Sequence, residues 1–83
     1  MRHKIVSPWT LSKSEGSFSI QVADIIDQRN GRTYVEGAHR VVDANLKPAK
    51  IGKGGTVPFI GESAWSDAER LLRDLALAER WAS

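Results

Sequence analysis

The sequence predicts an α+β fold: an antiparallel three-stranded meander packed on one C-terminal helix, with a short fourth strand as an option near 56–60. Three observations predict it. Two tight-turn signals, "SEGS" at 14–17 and "RNGR" at 29–32, steer the same middle-strand side chains to one face. A capped amphipathic segment at 63–82 then supplies the cover for that face.

Asn30-Gly31 suits a type I′ turn, which needs positive φ at both central residues and matches the twist of a two-residue hairpin. With that loop, Ile26 faces Val35, Val22 faces His39 and Ile20 faces Val41. Taking Glu15-Gly16 as the earlier loop sets Leu11 against Ile20, Trp9 against Val22 and Ile5 against Ile26. Strands are therefore expected near 4–13, 17–28 and 32–42. Pro8 falls on the edge strand, where its missing N–H can face solvent.

One polar row, Ser7, Asp24 and Gly37, interrupts the inward face, with His39 diagonal to Asp24. An acid and an imidazole at that separation suit a general acid–base pair. The preferred reading is a hydrogen-bonded structural pair, or a β-bulge that swings Asp24 outward beside Gly37, because a catalytic pair under a packed helix would leave no room for substrate.

The helix reads "SDAERLLRDLALAERWA", opening with Ser66 and Glu69 in capping-box spacing. At 100° per residue, Ala64, Ala68, Leu71, Leu72, Leu75, Ala78 and Ala82 form one stripe, with Trp65 on its margin. Glu69 and Arg73 make an i,i+4 ion pair on the other side. Leu77 and Trp81 fall outside the stripe, one and two turns beyond Arg73. An exposed Leu–Trp–Arg row has the composition of a binding hot spot. The competing reading is a final turn whose tryptophan folds back or frays.

Between sheet and helix lies a long connection, 43–61, that contains "KPAKIGKGGTVPFIG" with Lys47, Lys50 and Lys53. It is not a phosphate-binding P-loop: Lys53 is followed by Gly54, with no Ser or Thr, and "TVPFIG" intervenes before the helix. It reads as a basic, glycine-rich loop that either contacts a partner or simply links two packed elements. The outer face of the sheet carries Gln21, Arg29, Arg32, Tyr34 and Arg40 beside Asp27 and Glu36. Arginines next to a tyrosine can hold phosphates or stack on bases; an ordinary wet sheet face is the alternative.

The 83 residues are read as one domain, 1–83. Charge is uneven, +4 over residues 1–61 and −2 over 62–83, which favours an acidic partner for the first part. There is no cysteine, so neither disulfides nor thiolate chemistry enter, and a cytoplasmic setting follows naturally. "MRHKIVSPW" has no apolar run behind its basic residues, and no apolar stretch is long enough to span a bilayer. Metal-spaced clusters, nucleophile elbows and dinucleotide fingerprints are lacking, so the expectation is a protein that is not an enzyme and takes no cofactor.

"PWTLSKSEGSFSIQVADIIDQRNGRTYVEG" followed by "SDAERLLRDLA" resembles small proteins of phages and other bacterial mobile elements. Those run from an aromatic start through a meander with a D-x-N-G-R-like turn to one alanine- and leucine-rich helix. Anti-CRISPR inhibitors are prominent among them. The resemblance implies a non-enzymatic protein in the cytoplasm of a bacterial host, binding a host protein complex such as a Cas effector and occluding one of its surfaces. The strands-plus-helix layout is also similar to plant Apetala-type DNA-binding domains and the arm-binding domains of phage integrases. That likeness implies groove contacts through Arg29, Arg32, Tyr34 and Arg40; the insert at 43–61 and the acids Asp27 and Glu36 depart from it. The candidate contact residues are thus Arg29, Arg32, Tyr34 and Arg40 on the sheet, Lys47, Lys50 and Lys53 on the loop, and Arg73, Leu77 and Trp81 on the helix.

Overall fold

The computed structural model describes residues 2–49 and 58–82. In chain order the elements are β1 (Arg2–Ile5), β2 (Thr10–Glu15), β3 (Phe18–Arg29), β4 (Arg32–Val42), β5 (Phe59–Ile60) and α1 (Ala64–Ala82). All five strands form one antiparallel sheet: β1 and β2 share one edge of β3, β4 lies on its other side, and β5 adds to β4.

The β3–β4 hairpin has the register the sequence specifies. Asn30 (φ 52°) and Gly31 (φ 75°) both take positive φ, as a type I′ turn requires. Pairing then runs without a break from Arg29–Arg32 to Ser19–Val42, and includes Ile26–Val35, Val22–His39 and Ile20–Val41.

The first hairpin departs from expectation. Its loop is Gly16-Ser17 rather than Glu15-Gly16, with Glu15 opposite Phe18. Gly16 (φ +61°) is the only positive-φ residue of the pair, so glycine takes the first loop position, as in a type II′ turn. This sets Lys13, not Leu11, opposite Ile20. A register shift between Leu11 and Lys13 then turns Leu11 to the far side beside Gln21, where it is 66% exposed. The single strand expected over 4–13 is in fact two, broken around Pro8, and Ile5 pairs with Ile25 rather than Ile26. Trp9 consequently lies on the face away from the helix, under the Arg40 guanidinium.

The helix begins one turn before the expected cap. Ser63 precedes its first residue, the Ala64 N–H donates to Gly61 O (3.2 Å), and Ser63 Oγ donates to Asp67 Oδ2 (2.9 Å). Asp67 also places an acid in the first turn, where the helix dipole favours it. Ser66 is thus already helical, and Glu69 accepts a hydrogen bond from Lys13 Nζ on β2 at 2.9 Å instead of closing a capping box. That bond is the main reason the Glu69 carboxyl lies below its ordinary range; desolvation opposes it, while Arg73 adds only a lesser through-space attraction.

Ile20, Val41, Ala68 and Leu72 form the buried centre between sheet and helix, joined by Phe18, Val22, Ala49, Phe59, Leu71 and Leu75. The buried line on the helix is Ala64, Ala68, Leu72 and Ala76, an i,i+4 series, whereas Ala78 and Ala82 are exposed. Alanine at three of four contact positions lets the helix lie close to the strands. Leu72 is the large side chain there, and its full burial contributes roughly 1.5–3 kcal/mol.

Two further features position surfaces. After β4, the Asp43 carboxylate accepts the N–H groups of Asn45 (2.8 Å) and Lys47 (3.0 Å), and Val42 bridges to Pro48. The first part of the 43–61 connection is therefore an Asx-held reversal, with Leu46 at φ 63° and 63% exposed. Of the strand expected over 56–60, the described residues form Phe59–Ile60, beside His39 and Ala38, while Thr56 and Val57 lie outside the described residues. The helix starts near that mid-sheet position and runs toward the Gly16 turn, leaving the β3–β4 tip uncovered on the helix side. The molecule is accordingly elongated, 50 × 24 × 18 Å.

At Gly16 a Cβ would meet Glu79 Oε1 at 2.8 Å and Ala76 Cβ at 3.5 Å, on top of its positive φ; at Gly31 a Cβ meets nothing within 4 Å. Gly31→Ala is expected to lose about 1 kcal/mol from backbone strain alone, and Gly16→Ala about 2 kcal/mol or more. Urea unfolding of the two variants checks the order; equal losses would mean that the Gly16–helix approach carries no energy.

Candidate functional site

Three surfaces carry the candidate residues, and they differ in how much side chain they leave available. Along the face away from the helix, Ala23, Ile25, Asp27, Ala38 and Val42 are buried. Arg40 is half-buried: its Nε donates to Gln21 Oε1 (2.9 Å) and its Cζ sits 4.1 Å above the Trp9 ring centroid. Burial lowers its pKa from the ordinary value, which leaves an arginine cationic at neutral pH. This guanidinium is built into the structure by stacking and a hydrogen bond. Arg32 and Tyr34 lie apart from it at the exposed hairpin tip, with Arg29 opposite Arg32 in the backbone register. The arginine–tyrosine set is thus split between a tied mid-sheet residue and the tip.

Of the loop lysines, Lys47 is exposed at the end of the Asp43 reversal, while Lys50 and Lys53 lie outside the described residues.

The helix row is continuous. Arg73, Leu77 and Trp81 are exposed at i, i+4 and i+8, with Leu77 at 49% and Trp81 at 81%. The tryptophan does not fold back onto the protein. Its helical turn is nonetheless fixed: Glu79 Oε1 accepts the Ser17 N–H at 3.1 Å, and Gly16 approaches Ala76. Two adjoining hollows follow the row. One of about 280 Å³ is lined by Glu15, Gly16, Arg73, Ala76, Leu77 and Arg80, and one of about 210 Å³ by Leu77, Arg80 and Trp81. Leu77 and Arg80 belong to both, so the groove has an apolar floor with arginines beside it and Glu15 at its rim. Sequence reasoning missed Arg80 and the Gly16–Ser17 turn as parts of this site. The signal was the glycine, whose missing side chain admits the helix.

The polar row on the helix side forms a fourth feature, a hollow of about 420 Å³ whose lining includes Ser7, Thr10, Asp24, Gly37 and His39. Asp24 is clasped through its backbone: its N–H donates to Ser7 Oγ (2.8 Å) and its carbonyl accepts from Val6 N–H (2.9 Å). No hydrogen bond joins Asp24 to His39 among the described residues, and the ladder passes this point without a bulge. The imidazole packs edge-on to Trp65 (centroids 5.7 Å, 68°), and its Nδ1 is buried with no hydrogen-bond partner. Burial pushes its pKa down, opposite to the effect of a touching carboxylate. An acid–base dyad is therefore not assembled here.

Among the described residues no cluster of three or more His, Asp or Glu is arranged to hold a metal ion, and no helix is long and apolar enough to cross a membrane. We find no family model, curated protein or solved structure that matches this chain.

Because the His39 pKa is depressed in the folded chain, the unfolded chain takes up that proton first as pH falls below about 6.5. Stability supplied by the neutral imidazole is full above that value and declines as pH drops toward the lower folded value. His39→Phe keeps the ring without the titration. The stability of the parent minus that of His39→Phe, from urea midpoints at pH 5–8, is expected to fall as pH drops toward 5, whichever of the two is the more stable at pH 8; a pH-independent difference would show that the imidazole titrates alike in both states.

Proposed function

We propose that this chain is a small non-enzymatic binding protein of phage or mobile-element origin, an anti-CRISPR-type inhibitor that docks on a host defence complex and occludes one of its surfaces. The docking element is the Arg73–Leu77–Trp81 row with Arg80. One observation carries the reading: a tryptophan 81% exposed on a helical turn that the Gly16–Ser17 turn holds in place. Leaving so large an apolar ring in water forgoes its burial, and holding it rigid lowers the ordering cost when a partner covers it. The flanking arginines suit a partner surface with acidic groups around an apolar recess. The location of such a protein is the bacterial cytoplasm, where the complex resides.

The alternative, a DNA-binding module using the outer sheet face, has less material to work with. Arg40 is committed to Trp9 and Gln21, and the centre of that face is buried.

Pull-down of purified Cas effector complexes on the tagged chain tests the proposal. Retention is expected for the parent, and Trp81→Ala is expected to weaken it by about thirtyfold or more, the scale of a hot-spot truncation of about 2 kcal/mol. If no effector is retained and interference in cells is unchanged, or if Trp81→Ala binds as the parent does, the reading fails. Binding to random duplex DNA that falls steeply with salt would favour the DNA module instead.

A further inference from the structure

The exposed edge of β4 carries a second inference, independent of the helix row. In a two-residue hairpin the pair flanking the loop is hydrogen-bonded, and bonded and non-bonded pairs then alternate. Arg29–Arg32 is the flanking pair, so Asp27–Tyr34, Ile25–Glu36 and Ala23–Ala38 are bonded pairs as well. Thr33, Val35 and Gly37 must then send their N–H and C=O groups away from β3, toward the other edge. The same parity is visible farther along, where the Val41 carbonyl turns outward to accept the Ala49 N–H at 2.8 Å. Strand β5 covers β4 at Ala38 and His39, and among the described residues nothing pairs with it over Arg32–Gly37. An open stretch of this kind is a template for another strand.

We propose that this edge pairs with the same edge of a second copy of the chain, antiparallel and centred on Val35. In that register Val35 meets Val35 across a two-fold axis and both its outward groups find partners, while Thr33 of each copy comes up to Gly37 at the point where the chain leaves β5 through Gly61. Val35, 69% exposed, lies on the helix-side face beyond the end of the helix, and the pairing sets the two valines against each other. On the opposite face Tyr34 stands across from Glu36. Self-complementary charge favours a second copy over a foreign strand. Where β5 ends, a notch of about 500 Å³ lined by Glu36, Gly37, Gly61 and Glu62 opens beside the edge. The basic hairpin tip of the other copy, with Arg32, arrives there, and the symmetry makes the same match twice. The contact is short, which places it among weak, reversible interfaces.

The test is sedimentation equilibrium of the full chain from about 10 µM to about 1 mM, a range suited to small interfaces. The parent is expected to rise from monomer mass toward dimer mass. Val35→Lys sets two lysines directly opposite at the axis while changing a side chain that water already surrounds, and is expected to weaken association by about tenfold or more without altering the melting temperature. Val35→Pro, which deletes one outward N–H and no β3–β4 bond, is expected to act in the same direction. In the parent, amide exchange at Val35 should slow as concentration rises. A chain that stays monomeric throughout overturns the proposal, as does one whose open edge takes up only a foreign extended peptide. A dimer that survives both Val35 variants but is lost in Trp81→Ala overturns it too, since the helix row would then be the contact.

Discussion

The Asn30-Gly31 reversal is the constraint on which the remaining geometry depends. A type I′ turn fixes which residue of β4 lies opposite each residue of β3, and a slip of one position would exchange the two faces completely. With the register set, Ile20 and Val41 become the floor for Ala68 and Leu72, and helix docking follows. The same register decides which backbone groups of β4 point to the open edge. One dipeptide therefore determines both the covered face and the uncovered border.

The second constraint is close approach. Alanines at 64, 68 and 76 and the bare backbone at Gly16 bring the helix near the sheet, where two long-range polar contacts pin it, Lys13 to Glu69 and Ser17 to Glu79. Both anchors come from β2 or the turn that follows it, the strand whose pairing the sequence specifies least. Partly exposed ion pairs such as Lys13–Glu69 add little to stability at neutral pH. Their use here is directional, fixing which end of the helix overhangs the sheet.

Legibility in the sequence followed turn chemistry. The β3–β4 hairpin, the helix and its Leu77–Trp81 row were readable because Asn-Gly and a 3.6-residue period are strong local signals. The first hairpin was not. In "SEGS" the glycine fits either loop position, and only the folded chain shows it in the first. The extra residue at the bulge near Ser12 and the break around Pro8 have no periodic signature at all. For that reason the sequence alone puts Trp9 on the wrong face and makes Arg40 look like an open contact, its stacking partner lying elsewhere in that register. Ser66 misled through its spacing to Glu69, although Ser63 stood one turn earlier with Asp67 four residues on. The site on the helix was legible residue by residue; its supporting wall at Gly16 was hidden in the same ambiguous turn.

The elongation of the molecule has a mechanical consequence. Strand β3 spans about 36 Å from Phe18 to Arg29, with the turn that seats the helix terminus at one end and the bare hairpin at the other. Attachments at the two extremities do not compete for space. A strand of that length, covered along half its course by the helix, sets the two proposed contact regions at opposite ends, so that neither proposed contact takes up the surface of the other.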